Sequence, residues 1–177
     1  MKAIALILAM LPLVAPQVTV KEASTLKQTT LAVEMNGESM SSYGSAAISL
    51  VQIGDDRDFL LSITSTNRYD DPYTISLGHS VESAEKTLSD LLGLFSAFVG
   101  DAFSIDTPEP NTGSSARSSH TLVMGTSLGR TEGNNKKPKS MIFAADGYAG
   151  EVILHKRPFE NLIKHFKFAV KIKKINP

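Results

Sequence analysis

Alternation of apolar and polar positions is the commonest pattern in this chain. Leu31, Val33 and Met35 alternate with small or polar neighbours, as expected of a strand with one buried face. The segment 47–53 is apolar on both faces, which predicts a strand covered on both sides, and 73–77 predicts a strand with one wet face. With the remaining alternating segments, the chain predicts about seven strands. These remaining segments are 59–63, 120–124, 141–145 and 152–154.

Turn-forming residues separate the alternating segments. Asn-Gly at 36–37 and Asp-Gly at 146–147 each predict a two-residue hairpin turn, and Gly-Asp-Asp at 54–56 predicts another turn. Two longer stretches, 106–116 and 125–139, are rich in Gly, Pro, Ser and Asn, and we expect them to be mobile loops.

Two segments instead repeat their apolar residues every three or four positions, which predicts amphipathic helices. The first extends from Val81 to Phe98, with Ser80 as N-cap and Gly100 as stop; Gly93 inside it predicts a kink or a close approach. The second begins at Pro158 and carries apolar residues on one face up to Val170, so we expect it to end near residue 171. Its lysine at 173 would fall on the apolar face.

These elements predict a single α+β domain. A mostly antiparallel sheet of about seven strands would have its apolar face covered by two amphipathic helices. Because strands precede a helix in each half of the chain, the order also suggests a βββ(β)α repeat.

The N-terminus predicts export. Lys2 precedes the apolar stretch 3–15, which is too short to span a bilayer and resembles the core of a signal peptide. We therefore expect residues 1–24 to be a cleaved signal, residues 25–177 to be the folded domain, and the mature protein to be secreted or periplasmic without an integral membrane span. A retained N-terminus that packs in the domain, or an uncleaved anchor, is the alternative.

Charge is balanced overall but divided along the chain. The 177 residues contain 18 Lys and Arg and 18 Asp and Glu. Residues 55–109 hold eleven acids and three bases, whereas 136–174 hold ten bases and three acids. Lys164, Lys167, Lys171 and Lys174 are spaced by three or four, so they share one stripe of the last helix. Such a stripe attracts acidic groups if it is not simply a solvated face. Phe168 and Ile172 lie off the buried face by angle and form a candidate contact patch.

The motifs for chemistry are weak. Gly-x-Ser-x-Gly at 125–129 resembles a nucleophile elbow, with Ser127, Asp146 and His155 or His165 in the order of a serine hydrolase. The residues that follow do not favour the helix that this motif requires. The aspartates at 55–58 and 70–71 lack a calcium-loop pattern, the four histidines lack zinc spacing, and cysteine is absent. The sequence therefore predicts no catalytic residues, no metal site and no cofactor.

The function predicted by elimination is a small exported, non-enzymatic binding or assembly module. Its partner would be an acidic macromolecule or a second copy of the chain. One alternative is a nucleic-acid-binding module that uses the same basic residues, and another is a serine hydrolase built on Ser127. The candidate ligand- or anion-binding residues are Arg130, Lys136, Lys137, Lys164, Lys167 and Lys171.

Overall fold

A computed structural model describes residues 26–36, 44–64, 72–108, 117–126, 136–143 and 152–175. The predicted signal segment and the Asp-Gly turn at 146–147 lie outside these residues. The chain order is β1 Leu26–Met35, β2 Ser45–Ile53, β3 Asp56–Ile63, β4 Tyr73–Gly78, α1 Val81–Gly93, β5 Ala102–Pro108, β6 Arg117–Gly125, β7 Ser140–Phe143, β8 Val152–His155 and α2 Lys156–Lys173. A short 3-10 helix, Leu94–Ser96, directly follows α1.

The strands form two antiparallel sheets, ordered β1-β2-β3-β4 and β5-β6-β7-β8. The α+β class, the antiparallel pairing and the repeated order of strands and helix are confirmed, with four strands in each repeat. The eighth strand is β5, which begins ahead of the predicted loop at 106–116. That loop prediction is wrong at its start, because Asp106 and Thr107 pair with Ser119 and Ser118 on β6. Tertiary pairing here overrides a polar local sequence.

The edge strand β1 departs from simple alternation. Its pairing with β2 shifts register between Thr30 and Ala32, and Leu31 and Ala32 are both buried. A bulge of this kind reverses the faces of the residues that follow it. Consequently Val33 and Met35 are 53% and 61% exposed, although strict alternation predicts that they share the buried face of Leu31.

Asn36 follows β1 and connects the two sheets. Its amide group is buried against β8, where its Nδ2 donates to the Ile153 carbonyl and its Oδ1 accepts from the His155 backbone N–H at 3.0 Å. The predicted two-residue turn at 36–37 is wrong, because the Asn36 N–H donates to the Gly44 carbonyl at 2.8 Å and the hairpin closes there. By contrast, the turn at 54–56 is confirmed: Gly54 has a φ of 61°.

Helix α1 begins as the sequence predicts. The Ser80 and Ser83 side chains cap each other's backbone N–H groups, which satisfies two of the free donors of the first turn. The α-helical hydrogen bonding ends at Gly93, seven residues before the predicted stop at Gly100, and the 3-10 turn takes over. An added Cβ at Gly93 would touch nothing within 4 Å, so close packing does not explain this glycine. Phe98, predicted on the buried stripe, is 44% exposed.

Both sheets and both helices contribute to one hydrophobic core. The inward faces of β2, β3 and β4 meet those of β6, β7 and β8, and the helices add their predicted stripes. On β4 the predicted wet face is wrong at Ser76, which is fully buried and donates to Asp58 at 2.7 Å. Among the described residues, no helix has both the length and the apolar character needed to cross a membrane.

Candidate functional site

Helix α2 is fixed against β1 at two points. His165 Nδ1 lies 2.8 Å from Glu34 Oε1, and Lys173 Nζ donates to the Thr30 carbonyl at 3.4 Å. The eight helical residues between these contacts rise about 12 Å, and the four strand residues span about 13 Å. The helix therefore runs antiparallel along β1. Its core face is held by Phe166, whose ring meets that of Phe59 edge-on at 5.9 Å.

The face of α2 turned away from the core is strongly basic. At a rotation of 100° per residue, five cations fall within an arc of about 100° around the helix axis. They extend over about 22 Å along that axis. We call this set the basic stripe. Its members are Lys156, Arg157, Lys164, Lys167 and Lys171. Glu160 is the only acidic residue on α2, and it lies 4.0 Å from Lys156. The helix begins at Lys156, two residues before the predicted start at Pro158. It ends at residue 173 rather than 171, with Lys173 exposed at the edge of β1.

The segment 136–139, which carries three further lysines, is hydrogen-bonded to the beginning of the basic stripe. The Lys156 backbone N–H donates to the Lys139 carbonyl at 2.7 Å. Lys137 Nζ donates a hydrogen bond to the Ser96 carbonyl at 2.6 Å. The same atom lies 4.8 Å from the centre of the Phe98 ring. Residues 136, 137 and 139 are all exposed. We call the basic stripe together with these three lysines the basic surface.

The electrostatics at the start of α2 are unfavourable for the helix alone. The N-terminal end of a helix carries a partial positive charge and is stabilised by acidic residues. Here the first turn contains Lys156 and Arg157 and no acid, and the N-cap His155 makes no capping hydrogen bond with its side chain. A bound anionic group would relieve this repulsion.

The central lysines of the basic stripe have no internal role in the described structure. Lys164, Lys167 and Lys171 are exposed and form no hydrogen bond or ion pair with any residue in the described ranges. The lysine of α1 differs, since Lys86 Nζ lies 2.9 Å from Asp90 Oδ2. The three ammonium groups are therefore exposed and unpaired within the part of the chain that the structure describes.

Two large apolar side chains lie beside the basic stripe. Phe168 is 65% exposed and Ile172 is 61% exposed, and their spacing of four residues makes them neighbours on the helix surface. We call them the apolar pair. The expectation that they lie off the core face is confirmed.

The structure describes five of the six predicted site residues. Lys136 and Lys137 lie at the start of the helix that carries Lys164, Lys167 and Lys171, whereas Arg130 falls outside the described residues. Sequence reasoning missed Lys139, Lys156 and Arg157. The seven-residue spacing of positions 157, 164 and 171 is the signal that identifies Arg157 as a member of the same face.

A second polar group lies where β3 meets the start of α1. Asp58 is buried, accepts from Ser76 and lies 3.8 Å from His79 Nδ1. The Arg57 Nε donates to the His79 carbonyl at 3.0 Å, so these contacts join β3 to the segment before the helix. Because the Ser76 hydroxyl is fully buried and bonded to Asp58 rather than to the imidazole, the arrangement is structural and not that of a nucleophile with its base.

The other predicted candidates form no site among the residues that the structure describes. Ser127 and Asp146 lie outside the described residues, so the hydrolase alternative stays a prediction. His155 is buried at the end of β8, and the exposed His165 is paired with Glu34. No group of three or more metal-ligating side chains occurs in the described ranges.

Comparison of the chain with protein-family models, with curated proteins and with solved structures gives no match.

Proposed function

We propose that this protein is a non-enzymatic binding module that docks an acidic macromolecule on the basic surface. The observation that carries the proposal is the set of three exposed lysines, Lys164, Lys167 and Lys171, which no described residue pairs. A solvated face would explain isolated lysines. It does not explain why the segment that carries Lys136, Lys137 and Lys139 is hydrogen-bonded to the start of the same helix.

The energetic reason is mutual repulsion among the cations. Five of them share one face of α2 with a single carboxylate of that helix, and two of these five occupy the helix end that already carries partial positive charge. A linear polyanion would relieve this repulsion and release its own condensed counterions on binding. The apolar pair adds contact area beside the charges, which suits a partner with an apolar as well as an acidic surface.

The predicted signal segment favours an acidic partner outside the cytosol, such as a sulfated or carboxylated polysaccharide or an acidic protein. Nucleic acid would use the same basic surface if residues 1–24 were retained. Mass spectrometry of the N-terminus in the native host distinguishes the two, since a mature start between residues 16 and 25 supports export.

The binding test is a titration of labelled heparin and of labelled single- and double-stranded oligonucleotides, followed by fluorescence anisotropy at 50–200 mM salt. With five cations engaged on a duplex, the affinity is expected to fall roughly 500-fold across this fourfold range of salt. The double variant Lys164→Ala/Lys171→Ala is expected to bind more weakly and to reduce the salt slope by about two.

The matched control is Lys27→Ala/Lys86→Ala, which removes the same charge from two exposed sites on β1 and α1. Equal losses in the two double variants would show that only net charge matters. That result, or binding to no polyanion at 50 mM salt, would contradict the proposal.

A further inference from the structure

A cleft of about 340 Å³ lies between α1 and β5. Its apolar wall includes Leu91, Leu94 and Ile105. Its rim carries the exposed carboxylates of Asp90 and Asp106 and the exposed Lys86, whose Nζ lies 2.9 Å from Asp90 Oδ2. Small-molecule sites range from about 300 to 1,000 Å³, so this cleft is near the lower limit and suits one or two side chains.

The apolar pair on α2 is the complement of this cleft. Phe168 and Ile172 project from the helix surface, and Lys164 and Lys171 lie directly beside them at helical spacings of three and four. Apolar side chains flanked by two ammonium groups match an apolar wall with a net acidic rim, because Lys86 pairs with Asp90 and leaves the charge of Asp106. The apolar pair and the cleft belong to different elements and are both exposed. Each copy of the chain therefore carries one apolar pair and one cleft that could receive the pair of another copy.

We propose that the protein self-associates head to tail, with the apolar pair of one copy seated in the α1–β5 cleft of the next. Such a contact is heterologous, so it leaves one free cleft and one free apolar pair at the ends and extends into chains or closes into a ring. The basic stripe lies beside the apolar pair rather than beneath it. Association would leave Lys156, Arg157 and Lys167 of each copy outside the contact, and would strengthen binding to a long polyanion through multivalency.

The contact is small, and interfaces below about 1,200 Å² are weak and transient. Sedimentation velocity from 10 μM to 1 mM is therefore the appropriate measurement. The weight-average mass of the wild-type chain is expected to rise above that of the monomer within this range.

Two variants each remove one half of the match. Phe168→Ser/Ile172→Ser removes the apolar pair, and Asp90→Lys/Asp106→Lys reverses the charge of the cleft rim. Each is expected to stay monomeric alone, whereas an equimolar mixture is expected to form a 1:1 dimer, because the intact pair of one variant enters the intact cleft of the other. All four side chains are exposed, and thermal unfolding of each variant verifies that it is folded.

Matched controls change the same kinds of residue elsewhere. Val33→Ser removes an exposed apolar side chain from β1, and Asp55→Lys/Asp56→Lys reverses two carboxylates in the β2–β3 turn. Both are expected to associate like the wild type.

Three results would overturn the inference: a wild-type chain that is monomeric at 1 mM, association that survives the cleft variant, or a variant mixture that forms no dimer. Heparin binding at 1 μM, where the chain is monomeric, separates this outcome from the proposed function. If heparin binding persists while association is absent, only the self-association is refuted. Association without any polyanion binding would refute only the proposed function.

Discussion

Replacing Asn36 tests how the two sheets are joined. The side chain is 4% exposed, and its two hydrogen bonds occupy the Ile153 carbonyl and the His155 N–H of β8. Asn36→Ala would leave both backbone groups without this partner. A buried polar group that loses its partner costs about 1–3 kcal/mol. Because two such groups lose their partner and the structure relaxes in part, we expect the free energy of unfolding to fall by about 2–5 kcal/mol.

That loss is large against a typical free energy of unfolding of about 5–15 kcal/mol. For a domain of this size it corresponds to a fall in melting temperature of about 5–15 °C. Urea unfolding followed by circular dichroism measures the change, with Gln28→Ala as the control, because Gln28 is an exposed amide on the same strand. The control is expected to stay within about 0.5 kcal/mol of the wild type.

Asn36→Asp provides a sharper comparison. A carboxylate retains the acceptor for the His155 N–H but faces the Ile153 carbonyl oxygen with a second acceptor, whereas the protonated acid donates to that carbonyl. We therefore expect the aspartate variant to be as unstable as the alanine variant at neutral pH and to become the more stable of the two near pH 4. An alanine variant within 0.5 kcal/mol of the wild type would refute the reasoning, because the amide would then not connect the sheets energetically.

Three further predictions use the same unfolding measurement. Gly78→Ala should lower the free energy of unfolding by about 2–4 kcal/mol, because φ is +109° and an added Cβ would lie 2.3 Å from Ser83 Oγ. Its control, Gly93→Ala, should raise the free energy of unfolding by up to about 1 kcal/mol, and equal effects of the two variants would contradict this prediction. Thr107→Val should be neutral or stabilising by about 1 kcal/mol, because the buried hydroxyl has no hydrogen-bond partner in the described ranges, and a loss above 1 kcal/mol would show that the hydroxyl is bonded. Ser80→Ala should lower the free energy of unfolding by about 1 kcal/mol, and Ser80→Gly should lower it by only a few tenths of a kcal/mol. An alanine variant as stable as the wild type would mean that the cap is dispensable.

Local periodicity was sufficient for much of the fold. The apolar spacing of Phe159, Leu162 and Phe166 identified the buried face of α2, and all three are fully buried. Two of the failures share one cause. Phe98 is exposed because the helix tightens into a 3-10 turn after Gly93, and Val33 is exposed because a bulge reverses the faces of β1. A change of one residue in local geometry turns every later side chain, and no spacing rule anticipates it.

The candidate site also depends partly on local helical spacing and partly on contacts between segments that are distant in sequence. The basic stripe from position 164 to 171 follows from helical spacing, so the sequence alone placed those lysines on one face. Its extension to Lys139 depends on the hydrogen bond from the Lys156 N–H, and the α1–β5 cleft exists only because a polar segment pairs as β5. The sequence determined which side chains share a face, because that is set by backbone geometry over a few residues. Tertiary structure decided which faces meet, because contacts between distant segments depend on the packing of the whole core.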